Sequence, residues 1–97
     1  MKIVWSPLAL DRVAEISDYI ARENVSAARS WIDAIFTKVK RLEKFPKSGR
    51  AVPEIRRSSI REIIYGNYRI IYRIKKDQLA ILTVRHGKQQ LPRDEVS

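Results

Sequence analysis

Apolar residues fall into two spacings along this chain of 97 residues. Leu10, Val13, Ile16 and Ile20, with Ala9, recur every three or four positions against polar Asp11, Arg12, Glu15 and Asp18. This spacing predicts a helix over about 7–22. Ser6 stands where an N-cap is needed, and Pro7 occupies the first helical position, where a missing N–H costs nothing. Asn24 can cap a second helix, whose stripe is Ala28, Trp31, Ile32, Ile35, Phe36, Val39 and Leu42. Lys38, Lys40, Arg41 and Lys44 lie on its opposite face, and Pro46 ends it. The connection at Glu23-Asn24 is too short for anything but an antiparallel hairpin. Trp31 and Phe36 read as packing residues on that stripe.

Beyond residue 59 the period drops to two. Ile60–Tyr65, Tyr68–Ile74 and Leu79–His86 are rich in β-branched and aromatic residues and read as three strands, while Ile3-Val4-Trp5 reads as a short first strand. Gly66-Asn67, with glycine first, suits a type II′ turn, which places Tyr65 opposite Tyr68, Ile64 opposite Arg69 and Glu62 opposite Ile71. A second two-residue turn at Lys76-Asp77 would set Ile71 opposite Leu82 and Arg69 opposite Val84; a slip of one residue would invert the faces of the last strand. In this register Ile63, Tyr65, Tyr68, Ile70, Tyr72, Ile74, Leu79 and Ile81 face the helices. The other face carries Ile60, Glu62, Ile64, Arg69, Ile71, Arg73, Leu82, Val84 and His86. A face that mixes apolar and charged residues in this way suits a surface covered by a partner. Residues 46–59 form a polar, basic, exposed connector with two prolines, and 87–97 a loosely ordered polar tail. The order β-α-α-β-β-β gives an α+β fold: one domain over 1–97, with a helical hairpin against an antiparallel sheet.

Charge sharpens this picture. Residues 1–37 carry four bases and five acids, whereas residues 38–97 carry sixteen bases and six acids, a net +10. Such a surplus points to nucleic acid, an acidic protein or an acidic groove, or else to a solvated surface. Arg50, Arg56, Arg57, Arg61 and Lys88 form its basic surface. There is no cysteine and one histidine, so disulfides, thiol catalysis and a conventional zinc site drop out. No phosphate-binding glycine loop and no Ser/His/Asp motif occurs, and no cofactor is expected. The absence of a long apolar run and of a leader pattern suggests a cytoplasmic protein with no membrane partner.

The segment Arg61-Glu-Ile-Ile-Tyr-Gly-Asn-Tyr-Arg-Ile-Ile-Tyr-Arg-Ile74, followed by Ile81-Leu-Thr-Val-Arg-His-Gly-Lys-Gln89, resembles the strand region of the RelE/ParE toxin superfamily. Leu42-Glu-Lys-Phe-Pro-Lys-Ser-Gly-Arg50 is similar to that family's exit from the second helix. The resemblance spans roughly residues 3–90. It implies the toxin of a type II toxin–antitoxin system, of the growth-arresting and plasmid-stabilising kind, held in a hetero-oligomer by a cognate antitoxin.

Two activities divide that superfamily: ParE-like poisoning of DNA gyrase, and RelE-like cleavage of mRNA on the ribosome. A plain interaction module is a third reading. A ribonuclease would need a base, an acid and cations for the developing phosphate charge. The resemblance offers Arg69, His86 and Glu54 for those catalytic roles. However, no tyrosine follows Tyr72, and Gln89 stands where an arginine is usual, so the gyrase-directed, non-enzymatic reading is favoured.

Ile64, Arg69, Ile71, Arg73, Leu82 and Val84 are the candidate antitoxin contacts, for an acidic amphipathic segment. Each charged candidate also has a plain reading. Arg69 and Arg73 can pair across strands with Glu62, His86 can be structural or solvated, Glu54 can be a loop residue, and Arg56, Arg57 and Arg61 can be exposed charges. An exposed pair would contribute only about 0–1 kcal/mol, so Arg69 would be nearly dispensable for stability.

Overall fold

The computed structural model describes residues 1–87 and 91–96. Its elements are β1 (Lys2–Trp5), α1 (Pro7–Ala21), α2 (Val25–Lys40), β2 (Arg50–Ala51), β3 (Ile60–Tyr65), β4 (Tyr68–Ile74) and β5 (Gln78–His86). Short 3-10 turns follow at Arg41–Glu43 and Arg93–Glu95. Both helix starts carry the caps that the sequence offers. The Ser6 hydroxyl accepts the Ala9 N–H at 3.0 Å, and the Asn24 side-chain oxygen accepts the Ala27 N–H at 3.0 Å; each satisfies a donor that the first turn leaves open.

The sheet has five strands in the order β1-β5-β4-β3-β2. It is mixed, because β1 runs parallel to β5. β2 was not expected from sequence; its two residues pair with Glu62 and Arg61 of β3. Gly66 has φ +57, the left-handed conformation that the first position of the turn requires, and the expected pairs Tyr65–Tyr68, Ile64–Arg69 and Glu62–Ile71 all form.

The second register holds only at its start. Ile74 pairs with Leu79, Arg73 with Ala80 and Tyr72 with Ile81, after which Ile71 pairs with Thr83, Ile70 with Val84 and Arg69 with Arg85. Leu82 is therefore the extra residue of a β-bulge. Its carbonyl accepts the Ser6 hydroxyl at 3.0 Å, so the N-cap of α1 also holds the bulge. Beyond it the faces invert: Val84 is fully buried in the helix-side core, and the His86 ring meets Tyr68 edge-on at 5.5 Å.

Two apolar clusters sandwich the sheet. On the helix side, Ala9, Val13, Trp31, Ile35, Val39 and Leu42 pack on Ile70, Tyr72, Leu79, Ile81 and Val84. The expected helix-facing residues Ile63, Tyr65, Tyr68 and Ile74 border this cluster. Leu10 and Phe36 depart from their predicted stripes: Leu10 is 46% exposed and Phe36 is 40% exposed, with its ring 4.7 Å from Trp5 at the margin. On the far side, Val52, Ile60, Ile71, Leu91 and Val96 form a second cluster, with Ile55 and Leu82 at its border.

Much of the mixed face is thus covered by the chain itself, while Ile64 stays exposed. Val52 and Ile55 come from the connector expected to be exposed, and Leu91 and Val96 from the tail expected to be loose. Burying Val52, Leu91 and Val96, and Ile55 in part, removes apolar surface that the connector and tail would otherwise leave in water. The tail is also held by Glu95, which meets Arg12 at 2.7 Å, Thr83 at 2.8 Å and Arg85 at 3.3 Å.

Candidate functional site

On the far face, the carboxylates of Glu54 and Glu62 converge on Arg69. Its position is set by the tight turn, three residues before it, and by its pairing with Ile64. Its side chain is only 7% exposed. Nε donates to Glu62 Oε1 at 2.6 Å, while Nη1 and Nη2 donate to the two oxygens of Glu54 at 2.8 Å each. The second Glu62 oxygen accepts from Arg50 Nε at 2.8 Å. Two guanidinium groups and two carboxylates thus sum to zero charge, and Glu62 is fully buried beneath them. The fork-to-fork pair with Glu54 is the strong geometry for this type of contact.

Protonation states follow from these contacts. The hydrogen bonds from Arg69 hold the Glu54 carboxyl below its ordinary range, against the upward pull of burial. The same bonds, Glu54 first and then Glu62, raise the Arg69 guanidinium further above its already high value, although burial opposes them. Both groups are ionised at neutral pH, as a buried pair must be if neither is to be left uncompensated.

Glu54 reaches Arg69 from a turn in the connector. The Ile55 and Arg56 amides both donate to the Val52 carbonyl, at 3.0 and 3.1 Å, and Arg56 adopts φ +58. A non-glycine residue in this left-handed region costs about 1–2 kcal/mol. Val52, fully buried, anchors the turn in the far-side core. Glu54 itself remains 41% exposed at the mouth of an open cavity of about 410 Å³. Arg50, Ile64, Tyr68, Arg69 and His86 line the same cavity.

The three candidates for ribonuclease chemistry, Arg69, Glu54 and His86, border one cavity, and two of them, Arg69 and Glu54, are in contact. Of the candidate antitoxin contacts, Ile71 and Val84 are fully buried in the two cores, whereas Arg69 is buried in the ion cluster but lines the cavity beside it. Burial of Ile71 and Arg69 follows from the connector and tail, and that of Val84 from the bulge. Arg73 and Leu82 are half-buried, and Ile64 stays 45% exposed.

Among the basic candidates, Arg50, Arg56 and Arg57 are exposed. Arg61 folds back onto backbone carbonyls, donating to Gly49 at 2.9 Å and Ser58 at 3.0 Å. Lys88 lies outside the described residues, as does Gln89.

The sequence placed Arg69 diagonal to Glu62 and so contained that pair. It gave no sign that Arg50 would share Glu62, because β2 was not foreseen. No group of His, Asp and Glu among the described residues could hold a metal ion, and no described helix is long and apolar enough to cross a membrane.

A capped helical hairpin on a small mixed sheet is the architecture that the resemblance to the RelE/ParE superfamily implies. The sequence pattern of the family described as "ParE toxin of type II toxin-antitoxin system, parDE" matches residues 3–91, and the chain belongs to that family. It is 40% identical over 93 residues to the proposed toxin Y4kP of Sinorhizobium fredii (strain NBRC 101917 / NGR234), covering 94% of this chain and 93% of that one. Its fold is similar to that of a chain from the chromosomal ParDE toxin–antitoxin system of P. aeruginosa. The TM-score is 0.74 at 20% identity, over 91% of this chain and 97% of the other. The protein is thus a ParE-family toxin of a type II system, which implies a cognate ParD antitoxin.

Proposed function

We propose that this toxin arrests growth in the cytoplasm by inhibiting DNA gyrase, without cleaving RNA, and that an acidic amphipathic segment of its antitoxin neutralises it. The observation that carries this reading is the engagement of Arg69. Three of its donors point at two carboxylates rather than at solvent. An RNA phosphate arriving there would meet a neutral cluster with two negative groups, whereas a ribonuclease needs uncompensated cations at that point. The missing tyrosine after Tyr72 and the glutamine at position 89 support the same reading.

A second reading is favoured by one observation: Glu54, Arg69 and His86 border a single cavity. In a RelE-like ribonuclease they would supply proton transfer and charge stabilisation, which requires Glu54 to leave Arg69.

For the antitoxin, the contact surface runs from the cavity beside Arg69 to the edge of the sheet, through Arg50 and Ile64, which line both. There Lys38, Arg41, Phe45, Arg50 and Ile64 line an open cavity of about 540 Å³. Phe45 is 60% exposed. Exposed apolar groups ringed by cations suit an acidic amphipathic segment.

The test is a purified-toxin assay of gyrase supercoiling, paired with mapping of mRNA ends in a translating extract. The expected result is loss of supercoiling with intact mRNA. Cuts in ribosome-bound mRNA with unimpaired gyrase would overturn the proposal in favour of the ribonuclease.

A further inference from the structure

Glu54 holds Arg69 as a ligand would. Its carboxylate is planar, bidentate and at 2.8 Å on both sides. Yet it is the less secured of the two carboxylates: its side chain is 41% exposed, against 0% for Glu62, while the Arg69 that it holds is 7% exposed. It is carried on a turn that holds Arg56 in a left-handed conformation, φ +58, which L side chains rarely adopt. The cavity beside it has Ile64 on its wall, 45% exposed, and Arg50 at its rim. Arg69 itself cannot move so easily, because Glu62 grips its Nε from beneath at 2.6 Å.

From these observations we infer that Glu54 is an exchangeable internal occupant of a carboxylate-binding site, and that a carboxylate side chain of a partner polypeptide takes its place on Arg69. The inference rests on the antitoxin reading above and adds the contact chemistry.

Charge selects a carboxylate over a phosphate. With Glu54 in place, Arg50, Arg69, Glu62 and Glu54 sum to zero. Exchange for one carboxylate keeps that balance, whereas a phosphate brings about −1.5 to −2 charges against the buried Glu62. Ile64 then offers apolar contact to the residue beside the incoming carboxylate, so an acidic residue next to an apolar one fits the cavity. The turn around Arg56 swings outward with Glu54, while Val52, fully buried, stays as its anchor.

Two measurements test the exchange. In the first, the melting temperature of Glu54→Ala is followed with sodium acetate, sodium chloride and sodium phosphate at matched ionic strength. Acetate should raise it by several degrees more than chloride, and more than it does for wild type, because it refills the vacated position. No acetate-specific rise overturns the inference, and so does a larger rise with phosphate.

In the second, antitoxin affinity is compared between wild type, Glu54→Ala and the double variant with Arg69→Lys. Removing the internal competitor should tighten binding by about tenfold, and the double variant should lose the gain, since lysine lacks the fork. Damage to the fold would weaken binding rather than tighten it. Equal or weaker binding by Glu54→Ala overturns the exchange while leaving the antitoxin reading intact. Absence of any binding by wild type overturns the antitoxin reading, and with it the identity of the incoming partner.

Discussion

The Tyr72 hydroxyl accepts the buried Gly49 N–H at 2.9 Å and donates to the Pro46 carbonyl at 2.8 Å. A central strand thereby fastens the start of the connector, and burial pushes the phenol upward from its ordinary pKa. Tyr72→Phe would leave the Gly49 donor buried without a partner, at a cost of about 1–3 kcal/mol. Gly49→Ala should cost more, since its Cβ would collide with the Tyr72 hydroxyl and fall 2.7 Å from the Glu62 carbonyl oxygen. Urea unfolding of the two variants checks this order; wild-type stability in Gly49→Ala would contradict the packing.

Arg69 is a structural residue as well as a candidate contact. From sequence alone its pair with Glu62 would be an exposed one, of little consequence to stability. Instead, Arg69→Ala leaves the fully buried Glu62 carboxylate with Arg50 as its remaining cation. Breaking one side of a buried pair destabilises by about 3–5 kcal/mol. Thermal and chemical unfolding should both register a loss of that size, and a change under 1 kcal/mol would return Arg69 to the exposed class.

Acid should unfold the protein through Glu54 and Glu95. Burial of the Glu95 carboxyl pulls its pKa upward, but the hydrogen bonds from Arg12 and Thr83 and the charges of Arg12 and Arg85 outweigh it, leaving it below the ordinary range. Arg69 holds Glu54 low as well. Both carboxyls are depressed in the fold, so the unfolded chain binds protons more readily. Their contribution is complete above the ordinary value of 4.5 and is lost as pH falls through the lower folded values. A stability profile from pH 7 to pH 2 should therefore fall below about pH 4.5. Glu95→Gln should be less stable near neutrality and show a shallower acid limb. An unchanged limb would remove Glu95 from the account.

The last described residues complete the far-side core. Leu91 is 5% exposed and Val96 2%, both against Ile60, Ile71 and Val52. Leu91→Ala should cost about 2 kcal/mol or more, and Leu91→Asp should in addition increase binding of a hydrophobic dye. A tail that tolerates both changes would not be packed on the sheet.

Much of this architecture is legible from residue pattern because local chemistry decides it. Ser6, Pro7 and Asn24 fix the helix starts, and Gly66 fixes the turn that aligns β3 with β4. What escapes the pattern depends on distant partners. Arg50 becomes a strand residue only because Glu62 lies across from it, and Val52, Leu91 and Val96 sit in polar stretches with no periodicity to mark them. Leu10 and Phe36 show the converse: their spacing is right, but the core ends short of them. The meeting of Arg69 with Glu62 could be read from the turn; its meeting with Glu54 could not, since Glu54 arrives by way of the left-handed Arg56.

The extra residue at Leu82 gives β5 two phases. Before it, Leu79 and Ile81 point to the helices; after it, Val84 does. The strand behaves like two half-strands spliced one step out of frame. A relative that lacked Leu82 would return to plain alternation, with Ile81, Val84 and His86 on one face and Thr83 and Arg85 on the other, and every downstream pair with β4 would stand unchanged. The deletion would instead be felt one layer away, because the Leu82 carbonyl that accepts the Ser6 hydroxyl would go with it, so the length of β5 is tied to the start of α1.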